Sequence, residues 1–221
     1  MVETAALETP LIHDSPRPRP DPALVSALAG VSGLTSAVSD VLDELGLRGA
    51  VPASEAPPLE AGSRVIGVAL TLRYLPERQT AARLRAEGSN GHLGNAALAR
   101  AASAGDVAVI DGGGIHTESL VGGLAASDAK SAGVVGVLID GAVRDVDEIR
   151  ALGLPVWAAA RTQVSGRRRM MAVELGGWVN FRGVQVRPGD VVIADDNGIC
   201  FVPPELFPDV VARVLETTSP Q

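Results

Sequence analysis

Val107-Ala108-Val109-Ile110-Asp111-Gly112-Gly113-Gly114, a helix-like stretch, and then Val134-Val135-Gly136-Val137-Leu138-Ile139-Asp140-Gly141-Ala142-Val143-Arg144-Asp145 form the part of the chain that decides the fold. Both apolar runs are short and nearly continuous, as expected of strands buried on two faces. The first is predicted to end at Asp111 and its three glycines, the second at Asp140-Gly141. Between them Glu118 to Ala132 has helical composition, with Leu120, Val121, Leu124 and Ala125 on one face and Gly133 as a stop. Strand, helix, strand predicts an α/β fold with a central βαβ unit and parallel strands.

Sheets of this kind bind ligands beyond the carboxyl ends of their strands. Here the two strand ends bring Asp111–Gly114 and Asp140–Asp145 to one edge. Gly122, Gly123, Leu124 and Ala125, in the first part of the connecting helix, reach the same edge. Free N–H groups at a helix start favour a carboxylate or phosphate, and glycine lets a ligand approach the backbone closely. The Arg144 guanidinium can clamp a carboxylate or an enolate oxygen in a forked geometry. Asp145 can hold Mg2+, which takes few protein ligands and keeps several waters. A cation chelated by a 2-oxo acid stabilises the charge that develops as a C–C bond breaks. The plainer reading of an Arg-Asp pair is a surface ion pair or a helix cap.

Away from this unit, Arg17-Pro18-Arg19-Pro20-Asp21-Pro22 cannot continue a helix. Residues 1–22 read as an extended arm, loose or laid on a neighbouring subunit, before one domain over residues 23–221. A helix is predicted from Ser36 or Ser39 to Leu45, a strand over Val65–Leu72, and a loop or lid over the polar Tyr74–Gly91. Leu93–Ala102 and Asp147–Leu152 read as helices and Pro155–Ala159 as a strand. Trp178–Val186, Asp190–Ala194 and Ile199–Val202 read as strands, and about Pro204 to Glu216 as a terminal helix.

Composition narrows the function. Hydrophobic residues make up 46% of the 221 and charged residues 20%, which is a globular balance. The net charge of −7 argues against a general nucleic-acid binder; Arg167-Arg168-Arg169 reads as a solvated loop. The lone Cys200 sits in an apolar run and makes neither a disulfide nor a thiolate cluster. No stretch is apolar for long enough to cross a bilayer and the N-terminus lacks a signal-peptide core, so the expected compartment is the cytoplasm. His92 and His116 lack a third partner at zinc spacing, and Ser119 and Ser127 lack the His-Asp context of a nucleophile.

Taken together, Ser39-Asp40-Val41-Leu42-Asp43, Val109–Gly114, Ile139–Asp145, and Arg187-Pro188-Gly189-Asp190 through Asp195-Asp196-Asn197-Gly198 resemble one family. It is that of 4-hydroxy-4-methyl-2-oxoglutarate aldolases and regulators of ribonuclease activity A, formerly described as demethylmenaquinone methyltransferases. The resemblance runs from about Ser36 to Val202. It implies a three-layer β/β/α swivelling domain, assembled as a homotrimer or a hexamer with sites between subunits. It also implies Mg2+ or Mn2+ on Asp145, Arg144 on the pyruvate oxygens, and the backbone at Gly122–Ala125 as the substrate cradle. The regulator branch lacks the Asp of the Arg-Asp pair, so Asp145 points to the enzyme branch.

There is one departure. Where the aldolases carry an Asp that orients a metal-coordinated water, this chain has Gly123. Glu118, or after it His116, is the expected substitute, against a simple helix-capping role for Glu118. The sequence therefore predicts a metal-dependent C–C lyase acting on a small 2-oxo acid such as 4-hydroxy-4-methyl-2-oxoglutarate or oxaloacetate. The alternatives are a non-catalytic regulator on the same scaffold and a relative with different enolate chemistry.

Overall fold

The computed structural model describes residues 10–218. In chain order the elements are β1 (Leu11–Ile12), α1 (Pro22–Ala29), α2 (Leu34–Glu44), β2 (Ala50–Pro52), β3 (Val65–Pro76), α3 (Ala81–Ala86), α4 (Asn95–Ala101), β4 (Asp106–Val121), α5 (Gly123–Ser131), β5 (Gly136–Val143), α6 (Val146–Leu152), β6 (Val156–Arg161), β7 (Met170–Leu175), β8 (Val179–Phe181), β9 (Val184–Val186), β10 (Val191–Ala194), β11 (Gly198–Val202) and α7 (Phe207–Thr218). One mixed sheet runs in the order β2-β11-β10-β3-β4-β5-β6, with β7 also paired to β3 and β1 to β7. Its β3-β4-β5-β6 half is parallel, so the predicted βαβ unit, β4-α5-β5, lies at its centre.

Strand alternation sorts the side chains into layers. Ala108 and Ile110 of β4, with Leu70 and Leu72 of β3, pack under α4, α5 and α6. On the opposite face Val107 and Val109 meet the β8-β9 hairpin through Val179, Phe181, Val184 and Val186. Phe181 packs edge-on against Phe201, with ring centroids 5.6 Å apart. Helices α1, α2 and α7 cover Val191, Ile193, Cys200 and Val202 at the antiparallel end. Hairpin, sheet and helices make the predicted three-layer β/β/α order. Burial pushes the Cys200 thiol up to about 12, with the Asp195 charge adding to it, so it is the core residue the sequence suggested.

Several elements differ from the sequence reading. Trp178–Val186, read as one strand, is the β8-β9 hairpin, because Arg182 and Gly183 turn the chain at positive φ; β2 and β7 were not expected. Glu118–Val121 is strand, and α5 begins only at Gly123. Residues Leu120 and Val121 suit a buried strand as well as a helix face, and pairing with β5 selects the strand. Strand β3 runs to Pro76, because β7 pairs with Leu72–Pro76, and the supposed lid holds the short helix α3. Helix α1 was not foreseen; Pro22 occupies its first turn and Asp21 caps it through the Ala23 N–H at 2.8 Å. The described part of the arm lies on its own chain. Leu11 and Ile12 pair with Glu174 and Leu175, and Arg19 and Arg17 reach the fully buried Asp106 at 2.7 and 3.4 Å. Residues 1–9 of the predicted arm fall outside the described residues. Among those residues, no single helix is long and apolar enough to cross a membrane.

Asp195 ties the two ends of the chain together. It accepts the Thr35 N–H at 3.1 Å and the Thr35 hydroxyl at 2.5 Å, in the first turn of α2, which has no cap of its own. Burial alone would raise its carboxyl; the bonds from Thr35 and Asn197 outweigh that and hold it below the usual carboxylate range. Asp195→Ala is expected to cost about 1–2 kcal/mol in urea unfolding at neutral pH. A carboxyl lowered on folding stabilises above its unfolded value and loses that contribution as pH falls through the folded one. The gap between wild type and variant should therefore close below about pH 4.

Candidate active site

The site is built where β4 and β5 fall out of step. From Asp111 to Val121 β4 advances ten residues while β5 advances three, Asp140 to Val143. The surplus loops outward, with Gly113 and Gly114 at φ 62° and 72°. This Gly-rich loop, expected at the site, is occupied structurally instead. Asp111 accepts the N–H groups of Asn180 (3.1 Å) and Gly113 (3.0 Å), and Asp140 pairs with Arg182 at 3.1 Å. Burial raises the Asp111 carboxyl, against those backbone bonds. The β8-β9 hairpin thus covers the loop, and neither Asp111 nor Asp140 lines the principal cavity.

That cavity, of about 920 Å3, is lined by Val121 at the end of β4 and by Arg144 and Asp145 just after β5. One wall carries Gly122, Leu124 and Ala125 of the predicted cradle, together with Arg144, Asp145 and Glu148. Gly122 is extended (φ −133°, ψ −176°) and leads into α5. A side chain there would put its Cβ 2.6 Å from Asp145 Oδ2 and 2.9 Å from Arg144 Nε. Both functional heads therefore rest directly on bare backbone. Arg144 is tied by its N–H to the Val121 carbonyl at 3.0 Å. Asp145 is left-handed (φ 57°, ψ 42°), a conformation Asp tolerates better than most residues, and turns the chain into α6. Its carboxylate makes no cap bond to α6. Instead Oδ2 accepts the Gly123 N–H at 3.1 Å and lies 3.3 Å from Arg144 Nε.

Another part of the lining is basic. Arg85 of α3 and Arg167, Arg168 and Arg169 line it, so the triplet is a cavity wall and not only the solvated loop expected. Arg168 Nε donates to the Ser89 carbonyl at 2.6 Å, Arg167 Nε to that of Asn90 at 3.2 Å, and Arg169 Nη1 to that of Ser165 at 3.1 Å. Among the described residues none of these four guanidinium groups is paired with a carboxylate. The lining also includes Asn95, which donates to the Leu120 carbonyl at 3.3 Å. Behind it Tyr74 accepts the Gly94 N–H at 2.9 Å, and burial raises its hydroxyl, keeping it protonated.

Glu118 stands on β4, not in a first helical turn, so the capping reading is corrected. Its carboxylate accepts from the Thr117 hydroxyl, and neither Glu118 nor His116 lines the cavity. His92 pairs with Glu77 at 2.9 Å. The lining residues missed were Glu148, Arg85 and Asn95. Glu148 was findable: it follows Asp145 by three residues at a helix start, a spacing that shares a face. The others are brought in by chain-distant pairing that no local pattern encodes.

Among the described residues no three His, Cys, Asp or Glu side chains converge as a metal cage. A hard cation seated here would have one engaged carboxylate, a glycine cradle and room for water, which is the donor set Mg2+ accepts.

Comparisons with known proteins identify the family. A protein of Halalkalibacterium halodurans named "Putative 4-hydroxy-4-methyl-2-oxoglutarate aldolase" is 30% identical over 76% of this chain and 72% of its own length. Protein DlpA of Legionella pneumophila is 31% identical over 80% of this chain, which spans only 27% of that longer protein. Among solved structures, Streptomyces coelicolor RraAS2, described as an unusual member of the RNase ES inhibitor RraA protein family, superposes with a TM-score of 0.77. It shares 29% identity and covers 91% of this chain and 95% of its own. The RraA-like family model, Aldolase/RraA, matches residues 35–201, a stretch that holds β2 to β10, the cradle and the Arg144-Asp145 pair, and the chain belongs to that family.

Proposed function

We propose that the protein is a divalent-metal-dependent carbon-carbon lyase, cleaving or decarboxylating a small 2-oxo acid such as 4-hydroxy-4-methyl-2-oxoglutarate or oxaloacetate. The observation that carries the reading is the seating of Arg144 and Asp145 together on Gly122, at the mouth of an arginine-walled cavity. Asp145 would hold Mg2+ or Mn2+, and the cation supplies stabilisation of the negative charge that develops on the keto oxygen. Arg144 binds the same end of the substrate and orients it by charge-assisted hydrogen bonds. Free N–H groups at the start of α5 receive the adjoining carboxylate. The unpaired guanidinium groups of the basic lining hold the remaining anionic part of the substrate and exclude neutral analogues. The working form is a homotrimer or hexamer in the cytoplasm.

Pyruvate release from oxaloacetate and from 4-hydroxy-4-methyl-2-oxoglutarate is the test. It is expected with added Mg2+ or Mn2+, to vanish with a chelator, and to return on resupply. Chelator-resistant turnover, or none with any 2-oxo acid, overturns the reading. The likeness to RraAS2 favours one other reading, a non-catalytic regulator of ribonuclease assemblies. An inert protein that captures ribonuclease components would establish it instead.

A further inference from the structure

We propose that Glu148 is the proton-transferring carboxylate of this site, an inference that rests on the lyase reading above. Its basis is a steric exchange with Gly123. An ideal Cβ on this buried glycine would lie 2.0 Å from Glu148 Oε2 and 3.1 Å from Glu148 Cβ and Cδ. The Glu148 carboxylate occupies the space that any side chain at position 123 would need. One residue earlier, Asp145 Oδ2 lies over Gly122 in the same way. Two carboxylates thus rest on consecutive residues, whose Cα atoms are about 3.8 Å apart.

Their engagement differs. The Asp145 carboxylate is held by the Gly123 N–H and by Arg144. The Glu148 carboxylate has no hydrogen bond or ion pair to any described residue. The nearby cation on its own helix, Arg150, is taken by Glu60 at 3.2 Å and Asp147 at 3.8 Å. On α5 the charged groups are Asp128, which shares the cavity wall, and Lys130, whose ammonium donates to the Leu152 carbonyl. Arg144 and Asp145 complete the charged surroundings on its own side, and Arg85 lines the cavity from α3. Of two adjacent carboxylates, the fixed one suits holding a ligand and the free one suits moving a proton.

For a 4-hydroxy-2-oxo acid the step balances. Glu148 removes the C4 hydroxyl proton, the O–H electron pair becomes the new C=O bond, and the C3–C4 bond breaks. Its electron pair forms the C2–C3 double bond of the pyruvate enolate, with the charge on oxygen. Protonated Glu148 then returns the proton to C3, giving pyruvate and a carbonyl product with no net proton change. Oxaloacetate decarboxylation has no hydroxyl proton to remove, so the two reactions separate this role from a structural one.

The experiment compares Glu148→Gln and Glu118→Gln in the full chain, with Mn2+ affinity measured by calorimetry. Glu148→Gln should lower kcat for 4-hydroxy-4-methyl-2-oxoglutarate cleavage by about a hundredfold or more, with KM little changed. Oxaloacetate decarboxylation should fall far less, and the Mn2+ Kd should stay within about threefold. Gly123→Asp alone should be impaired by collision with Glu148, and Gly123→Asp combined with Glu148→Ala should exceed either single variant in cleavage. Wild type inert toward every 2-oxo acid overturns the lyase reading and this inference with it. Wild type that cleaves while Glu148→Gln cleaves equally well overturns this inference alone. So does a cleavage loss confined to Glu118→Gln, or an equal loss of both reactions.

Discussion

Asp145→Asn is expected to lower metal-dependent pyruvate release by more than about a hundredfold while the protein stays folded, since even partners one layer outside a metal site cost 10- to 100-fold. Asn preserves the shape of the side chain, its tolerance of the left-handed backbone at φ 57°, and an oxygen able to accept the Gly123 N–H. What it removes is the charge. Asp145→Gly separates function from stability further. A non-glycine residue in this conformation costs roughly 1–2 kcal/mol, and glycine relieves most of it. Thermal denaturation of Asp145→Gly should show unchanged or slightly raised stability, up to about 1 kcal/mol, alongside lost turnover. Retained turnover in Asp145→Asn would remove Asp145 from the metal site. A strongly destabilised Asp145→Gly would show that the residue is there for the fold.

Much of this arrangement was legible in the sequence, for identifiable reasons. The βαβ unit was readable because Val107–Ile110 and Val137–Ile139 are apolar on both faces, which only a covered strand requires. Arg144 and Asp145 were readable because they follow the end of such a strand. The path between the strands was not. Leu120 and Val121 satisfy a helical stripe equally well, and the strand assignment depends on Ser119 and Val121 pairing with Ala142 and Val143. That error moved Glu118 into a helix start it does not occupy. The Asp111 loop misled for a related reason. A Gly-rich strand end looks the same whether it faces a ligand or, as here, a hairpin supplying Asn180 and Arg182. Likewise the Arg167–Arg169 triplet reads as solvated until Ser119 is seen to pin its loop, through bonds with Val164 and Gly166 at 2.9 and 3.0 Å.

Gly122→Ala carries the second large effect, because one methyl group there should disable the site without altering any functional group. The backbone at φ −133° is ordinary extended geometry, so alanine brings no strain. Its Cβ would stand 2.6 Å from Asp145 Oδ2, 2.9 Å from Arg144 Nε and 3.1 Å from Arg144 Cγ. These atoms belong to two partly exposed side chains, which can swing aside at little energetic cost. Stability should therefore change by about 1 kcal/mol or less, the smaller entropy of the unfolded chain offsetting a poorer helix start. Function has no such tolerance. Both heads must retreat by roughly half an ångström or more, and a misplacement of about 1 Å costs on the order of a hundredfold in rate. Turnover should fall about tenfold to a hundredfold, with Mn2+ affinity falling alongside it because Asp145 is displaced. Gly183→Ala supplies the opposite pattern. Gly183 sits at φ 88° in the β8-β9 turn with open space around it, so alanine there should cost about 1–2 kcal/mol in stability and leave turnover intact. If Gly122→Ala keeps both its rate and its metal affinity, Arg144 and Asp145 do not act from the cradle on which they rest.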